Sequence, residues 1–146
     1  MKENVSFATT LKVRDSCLCL HAQRAARALA RRFDEALRPV GLTNGQFSLL
    51  MALNRPSPIT LTPLAEFLCM DRTTLTAAIK PLMRDGLVDM LPNPQDARSR
   101  QLHLTERGHE KLRAALPIWQ ETHKKIEAAL GPLDLNTLKE GLAALS

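Results

Sequence analysis

Between Asp71 and Arg84 the chain carries Thr73, Thr74, Ala77, Lys80 and Arg84, so that hydroxyls come first and cations follow. If this stretch is helical, Leu75, Ile79, Leu82 and Met83 share one face, and Thr73, Ala77, Lys80 and Arg84 fall opposite. A helix with hydroxyls at its start and basic groups farther along suits a DNA major groove, where it meets base edges and phosphates. Taken singly, Lys80 or Arg84 reads better as part of an ordinary solvated face.

A second group is Asp96-Ala97-Arg98, followed by Ser99 and Arg100, in a polar stretch between two apolar segments. An arginine at a hairpin tip can enter a narrow minor groove, where the negative potential is strongest. Asp96 is expected to hold the Arg98 guanidinium through an ion pair.

A third group is Cys17-Leu18-Cys19-Leu20-His21. On a helix Cys17 and His21 share a face, as two metal ligands would, while Cys19 projects about 200° away. Three ligands from one helix cannot converge, so no metal site is expected. Near a helix start, with Arg24 and His21 close by, Cys17 suits a redox or electrophile response. Buried structural thiols are the other reading, and Cys69 is expected to be a packing residue.

These groups need elements to hold them. Leu18, Ala22, Ala25, Leu29, Phe33 and Ala36 recur at spacings of three and four, which predicts a long first helix with one buried stripe. Asp15 or Ser16 caps it, and Pro39 and Gly41 end it. Thr43 or Asn44 caps a second helix with Phe47, Leu50 and Leu53 inward, stopped by Arg55-Pro56-Ser57-Pro58. Thr62-Pro63 reads as cap and first turn of a short third helix through Leu64, Ala65, Phe67 and Leu68. After a turn at Met70, Asp71 caps the fourth helix and Gly86 closes it. Pro81 lies inside that helix, removes a hydrogen bond to the Ala77 carbonyl and predicts a kink. Two short capped helices joined by a tight turn make a helix-turn-helix.

Leu87–Leu91 and Gln101–Leu104 read as the strands of a hairpin around a polar loop, Pro92 to Arg100. Met90 and Leu91 are more apolar than an exposed wing needs, and their strand is expected to pack inward or to shield a pocket. Thr105-Glu106-Arg107-Gly108 restarts a helix, along which Leu112, Leu116, Trp119, His123, Ile126 and Leu130 form a coiled-coil-like seam. Gly131-Pro132 breaks it, and Asp134 caps a last helix with the stripe Leu138, Leu142 and Leu145. The outer helices have apolar faces and no sheet to cover them, so a partner chain is the economical cover.

Composition narrows the function. The 146 residues, 45% hydrophobic, suffice for one domain with its own core. Twenty Lys and Arg against fifteen Asp and Glu give a charge of +5, which favours an anionic partner. Residues 71–111 hold seven basic and six acidic side chains, so any DNA contact there rests on a few placed groups rather than bulk attraction. Four Phe, one Trp and no Tyr leave little for base stacking on single strands. Three cysteines do not make a disulfide framework. No apolar run spans a bilayer, and Met1 to Thr10 lacks the apolar stretch of a secretory signal, so a cytoplasmic location is expected. The sequence holds no Gly-rich phosphate loop, Ser-centred elbow or paired metal-ligand motif, and neither enzyme chemistry nor a cofactor is expected.

The order of short motifs adds to this. Leu64-Ala65 is followed by Asp71-Arg72-Thr73-Thr74-Leu75-Thr76, Leu82 with Gly86-Leu87-Val88, Asp96-Ala97-Arg98, and Leu104-Thr105 with Gly108. In this series the chain, from about Leu18 onward, resembles the MarR family of bacterial regulators. The resemblance implies one mainly α domain over 1–146 with a small β-hairpin wing. Dimerisation helices at about 15–38 and 109–146 would flank a winged helix-turn-helix lobe at about 43–108. It further implies a triangular homodimer on a pseudo-palindromic double-stranded operator. The fourth helix is then the recognition helix, Arg98 the wing arginine with Arg100 beside it, and Asp96 its positioning partner. Repression is the commoner family outcome. A small aromatic effector would sit between lobe and dimerisation helices, in a cleft bordered by His21, Phe47, Met51 and Trp119, with His123 in the dimer seam. Cys17 and Cys19 are candidates for an electrophilic signal. A winged-helix module that binds protein is the alternative, against which Arg98, Thr73 and Thr74 argue.

Overall fold

The computed structural model describes residues 2–146. In chain order it contains α1 (Phe7–Ser16), α2 (Leu18–Leu37), a 3-10 turn (Arg38–Val40), α3 (Asn44–Leu53), β1 (Ile59–Thr60), α4 (Leu61–Phe67), α5 (Arg72–Arg84), β2 (Val88–Asn93), β3 (Asp96–Leu104), α6 (Glu106–Leu130) and α7 (Leu135–Ala144). The chain is thus mainly helical, with one small antiparallel sheet in the order β1-β3-β2.

One core holds the lobe together. Leu37 of α2, Leu50 of α3, Leu64 of α4, Leu75, Ile79 and Leu82 of α5, and Val88 and Leu102 of the sheet are all withdrawn from solvent. Three hydrogen bonds then fix the lobe on the long helices. Asp34 of α2 accepts from the Asn44 backbone N–H at 2.7 Å, and Lys111 of α6 donates to the Val40 carbonyl at 2.8 Å. Thr105, the N-cap of α6, donates its hydroxyl to the Gly86 carbonyl at 2.6 Å, just past the end of α5.

Several boundaries differ from the sequence reading. The first long helix is capped by Cys17 rather than by Asp15 or Ser16, its Sγ accepting the Leu20 N–H at 3.4 Å. A further helix, α1, precedes it, opened by Ser6 and burying no residue. With no apolar periodicity, α1 carries no core signal to read. The α4 cap is Thr60, two residues before the expected Thr62. Pro63 becomes the third helical residue, which costs nothing because N–H groups of the first turn have no intrahelical partner. Helix α5 runs through Pro81 from Arg72 to Arg84.

The wing is a longer ladder than expected. Its strands meet at Pro94-Gln95, so most of Pro92 to Arg100 is strand, not loop. Pro92 pairs with Arg100 on β2, an edge strand where a missing N–H is tolerated. A third strand, β1, pairs Ile59 with Leu102. Of the two apolar residues expected inward, Met90 is half-buried and Leu91 exposed, as strand alternation requires.

The first helix's stripe is not buried within one chain. Leu18 is 68% and Leu29 39% exposed, and Leu37 is the one fully buried residue of α2. Helix α7 likewise buries nothing, leaving Leu142 and Leu145 in solvent.

Candidate nucleic-acid interface

Helix α5 begins at Asp71, whose carboxylate accepts the Thr74 N–H at 2.7 Å and the Thr74 hydroxyl proton at 2.9 Å. The hydroxyl of Thr74 is therefore committed to the cap, and Thr73 is the exposed hydroxyl without such a partner. Thr76 donates to the Arg72 carbonyl at 2.7 Å. Thr73, Ala77 and Lys80 lie opposite the buried Leu75, Ile79 and Leu82, and with Arg72 and the half-buried Thr76 at their flank they line one shallow surface groove of about 430 Å³. Sequence reasoning named Arg72 and Thr76 only within a motif. The readable signal was the four-residue spacing of 72, 76 and 80, a ridge running beside 73 and 77. Arg84 lies beyond that groove and pairs loosely with its neighbour Asp85 at 3.6 Å.

Ahead of α5, the turn from α4 places Cys69 in the left-handed region at φ 52. Its N–H bonds to the Glu66 carbonyl and that of Met70 to the Ala65 carbonyl, a Schellman closure that usually takes glycine. Cys69 is exposed there, which corrects the expectation of a packing residue.

At the wing, the expected Asp96–Arg98 ion pair is not formed. Asp96 Oδ1 instead accepts the Arg98 backbone N–H at 3.0 Å, the nearer partner for a carboxylate two residues upstream. Asn93 donates to Ser99 Oγ at 2.9 Å and accepts the Gln95 N–H at 3.0 Å, closing the tip. Arg98 and Arg100 are exposed and, among the described residues, in no ion pair.

The expected cleft residues separate into two places. Phe47 and Met51 of α3 and Trp119 of α6 line a groove of about 440 Å³ with Phe67, Leu68 and Leu116. The Trp119 ring stacks on Phe47 at 6.3 Å and on His123 at 4.7 Å, and His123 Nδ1 lies 2.9 Å from Glu127. His21 is elsewhere, on an exposed α2 face with Arg24, Arg27 and Arg31, its ring bonded to the Cys17 carbonyl at 2.8 Å. Cys17 is half-buried at the α1–α2 junction and Cys19 is exposed. Because Cys17 stands outside the regular helix, the helical separation expected between the two thiols does not describe them.

Hydrogen bonds from Asn44, backbone first and side chain second, hold the Asp34 carboxyl below its usual value, helped by the Arg38 charge. Asp71 and Asp134 are lowered in the same direction by their cap hydrogen bonds. A carboxyl lowered by folding stabilises the protein above its unfolded value, 3.8, and that stabilisation is lost as pH falls through the folded value. Stability is therefore expected to hold down to about pH 4 and fall below it, and Asp34→Asn to show a smaller acid loss. Urea midpoints at neutral pH and at about pH 3 check this; an equal acid loss in both proteins would remove Asp34 from the account.

The helix-turn-helix of α4 and α5, followed by a hairpin and backed by long helices, defines a winged-helix protein. The MarR family model matches residues 42–99. The HTH-type transcriptional regulator YdcH of Bacillus subtilis is 32% identical over 110 residues, 73% of this chain and 75% of that protein. BilQ of Clostridioides difficile, also named an HTH-type transcriptional regulator, is 32% identical over 54% of this chain, which spans about half (53%) of that relative. Among solved structures, the M. tuberculosis transcriptional regulator MosR in complex with DNA matches with a TM-score of 0.81 and 37% identity, over 89% of this chain and 93% of that one. The chain belongs to the MarR family. No helix among the described residues is long and apolar enough to cross a membrane.

Proposed function

We propose that this protein is a sequence-specific DNA-binding transcriptional regulator acting as a homodimer, with α5 as the recognition helix and the β2–β3 hairpin as the wing. The observation that carries this is the surface groove of Arg72, Thr73, Thr76, Ala77 and Lys80 on a helix whose other face is fully buried, with two arginines on the neighbouring hairpin that are in no ion pair among the described residues. The DNA complex of the similar MosR supports the reading. Thr73, Ala77 and Lys80 meet the major groove, Arg98 and Arg100 the wing side, and Arg84 a phosphate at the far end. Thr74 and Asp96 act by fixing backbone. The exposed apolar residues of α2 and α7 are a surface a second chain would cover, which supports dimerisation along about 15–38 and 109–146 with the lobe at about 43–108.

The protein is a cytoplasmic repressor, released by a small aromatic molecule in the groove beside Trp119. That groove is flanked by two rings and by Phe67, 74% exposed, so a flat apolar ligand gains contact with both lobe and long helix. Thiol modification is a second reading, favoured by the exposed Cys19 beside the helix junction that Cys17 caps.

A mobility shift with duplex from upstream of the chain's own coding sequence, repeated across salt, tests the proposal, with sedimentation expected to show two chains without DNA. Binding that ignores sequence, or a monomer that stays monomeric on DNA, would overturn it. Mild peroxide is expected to weaken the shift if thiols carry the signal, and Cys17→Ser with Cys19→Ser to abolish that response. The exposed Cys69 makes Cys69→Ser the necessary control.

A further inference from the structure

The groove-facing stripe of α5 has an unusual centre. Its long cations, Arg72 and Lys80, stand at the two ends, while Thr73, Thr76 and Ala77 between them are short. The cations are eight positions apart, roughly 12 Å along a helix axis, so a stretch of small side chains lies open between them. Neither cation is in an ion pair among the described residues.

The chemistry of that centre is narrower than its composition suggests. The Thr76 proton is already donated to the Arg72 carbonyl at 2.7 Å, which removes Thr76 as a donor to a base edge. What Thr76 can add is its methyl group. Ala77, exposed beside it, has only a methyl to offer. Two adjacent methyl-bearing residues, the half-buried Thr76 and the exposed Ala77, thus stand midway between the two cations, with the Thr73 hydroxyl as the free neutral hydrogen-bonding group of the stripe. In the major groove one base pair presents a matching apolar feature, the C5-methyl of thymine, and alanine and the threonine methyl are suited to meet it. Short side chains also let the helix come close enough for such a contact.

We propose that Thr76 and Ala77 read thymine through its methyl group, so that each operator half-site carries a required thymine beneath the middle of α5. This rests on α5 being the recognition helix, and the test separates the two ideas. Duplexes are first selected from a random double-stranded library by the full-length protein. Each thymine of the selected half-site is then replaced by uracil, which deletes the methyl and leaves the base-pairing edge unchanged. At one or two thymines per half-site, affinity is expected to fall about fourfold for each methyl lost.

Protein variants assign the contact. Thr76→Ser keeps a hydroxyl for the Arg72 carbonyl but loses the methyl, and with Ala77→Gly it is expected to bind thymine and uracil duplexes alike. Thr76→Val keeps the methyl position and is expected to retain the preference. Should the glycine variant fold poorly, the uracil series on the unaltered protein still decides. Tight binding to a selected duplex with no uracil-sensitive position would overturn the inference and leave the DNA-binding reading standing. A thymine preference unchanged in the Thr76→Ser, Ala77→Gly variant would overturn it as well, by assigning the methyl to other residues. If no duplex is enriched, the reading of α5 falls and the inference with it.

Discussion

Gly108→Ala is expected to destabilise the protein by about 3 kcal/mol, against the usual direction for a glycine-to-alanine change in a helix. Gly108 lies in the first turn of α6, where its N–H donates to the Thr105 cap at 3.1 Å. A Cβ there would run into the backbone carbonyl of Leu87 and stand 3.3 Å from Leu104 Cδ2. The Leu87 backbone cannot easily retreat, because its carbonyl accepts the Thr105 N–H at 3.1 Å and its N–H bonds to Leu82 at 2.9 Å. Those bonds join the end of α5, the start of the wing and the start of α6. The melting temperature is expected to fall by roughly 6–12 °C for a chain of this size. Gly45→Ala, near the start of α3 with only Thr43 Oγ1 within reach at 4.0 Å, is the control and should be neutral or stabilising by up to about 1 kcal/mol. Equal urea midpoints for Gly108→Ala and the parent would show that the α6 start is looser than this packing requires.

The parts of the fold that were legible are those with local causes. Asp71 and Gly86 mark the ends of α5 through side-chain capping and a left-handed backbone, each visible within a few residues. The start of α3 was placed only to Thr43 or Asn44; the cap is Thr43, where Gln46 three residues on completes a capping box. What escaped depended on pairing at a distance. β1 is two residues long and exists because Ile59 meets Leu102, more than forty residues away. Pro92 looks like a loop residue until its place on an edge strand is known. Helix α1 lacks a buried face, so periodicity had nothing to report.

The candidate site divides along the same line. Thr73, Ala77 and Lys80 follow from the wheel, but the share of Arg72 and Thr76 in the groove, and the loss of Thr74 and Thr76 as donors, depend on side-chain geometry that spacing does not carry. The aromatic groove follows a similar pattern. Phe47, Met51 and Trp119 do converge, whereas His21, expected there because its helix would border the cleft, lies on the α2 surface.

At the wing, Arg98→Ala is expected to weaken operator binding about tenfold or more while leaving the fold intact. The side chain is exposed and without an ion pair, so its removal takes no contact from the core. Its backbone, by contrast, is fixed: Asp96 holds the Arg98 N–H, and Ser99 is held by Asn93 across the hairpin. A long cation on a fixed backbone has only its side chain left to order when it enters a narrow minor groove, and there it displaces counterions. The slope of log affinity against log salt should therefore drop by about one for Arg98→Ala. Asp96→Ala separates charge from positioning. It keeps the guanidinium and loosens the turn, so affinity should fall less and the salt slope should stay at the parent value. Mobility shifts at several salt concentrations, with thermal melts to verify folding, measure all three proteins. An Arg98→Ala protein with parental affinity and parental slope would remove the wing from DNA recognition and leave α5 to account for it alone.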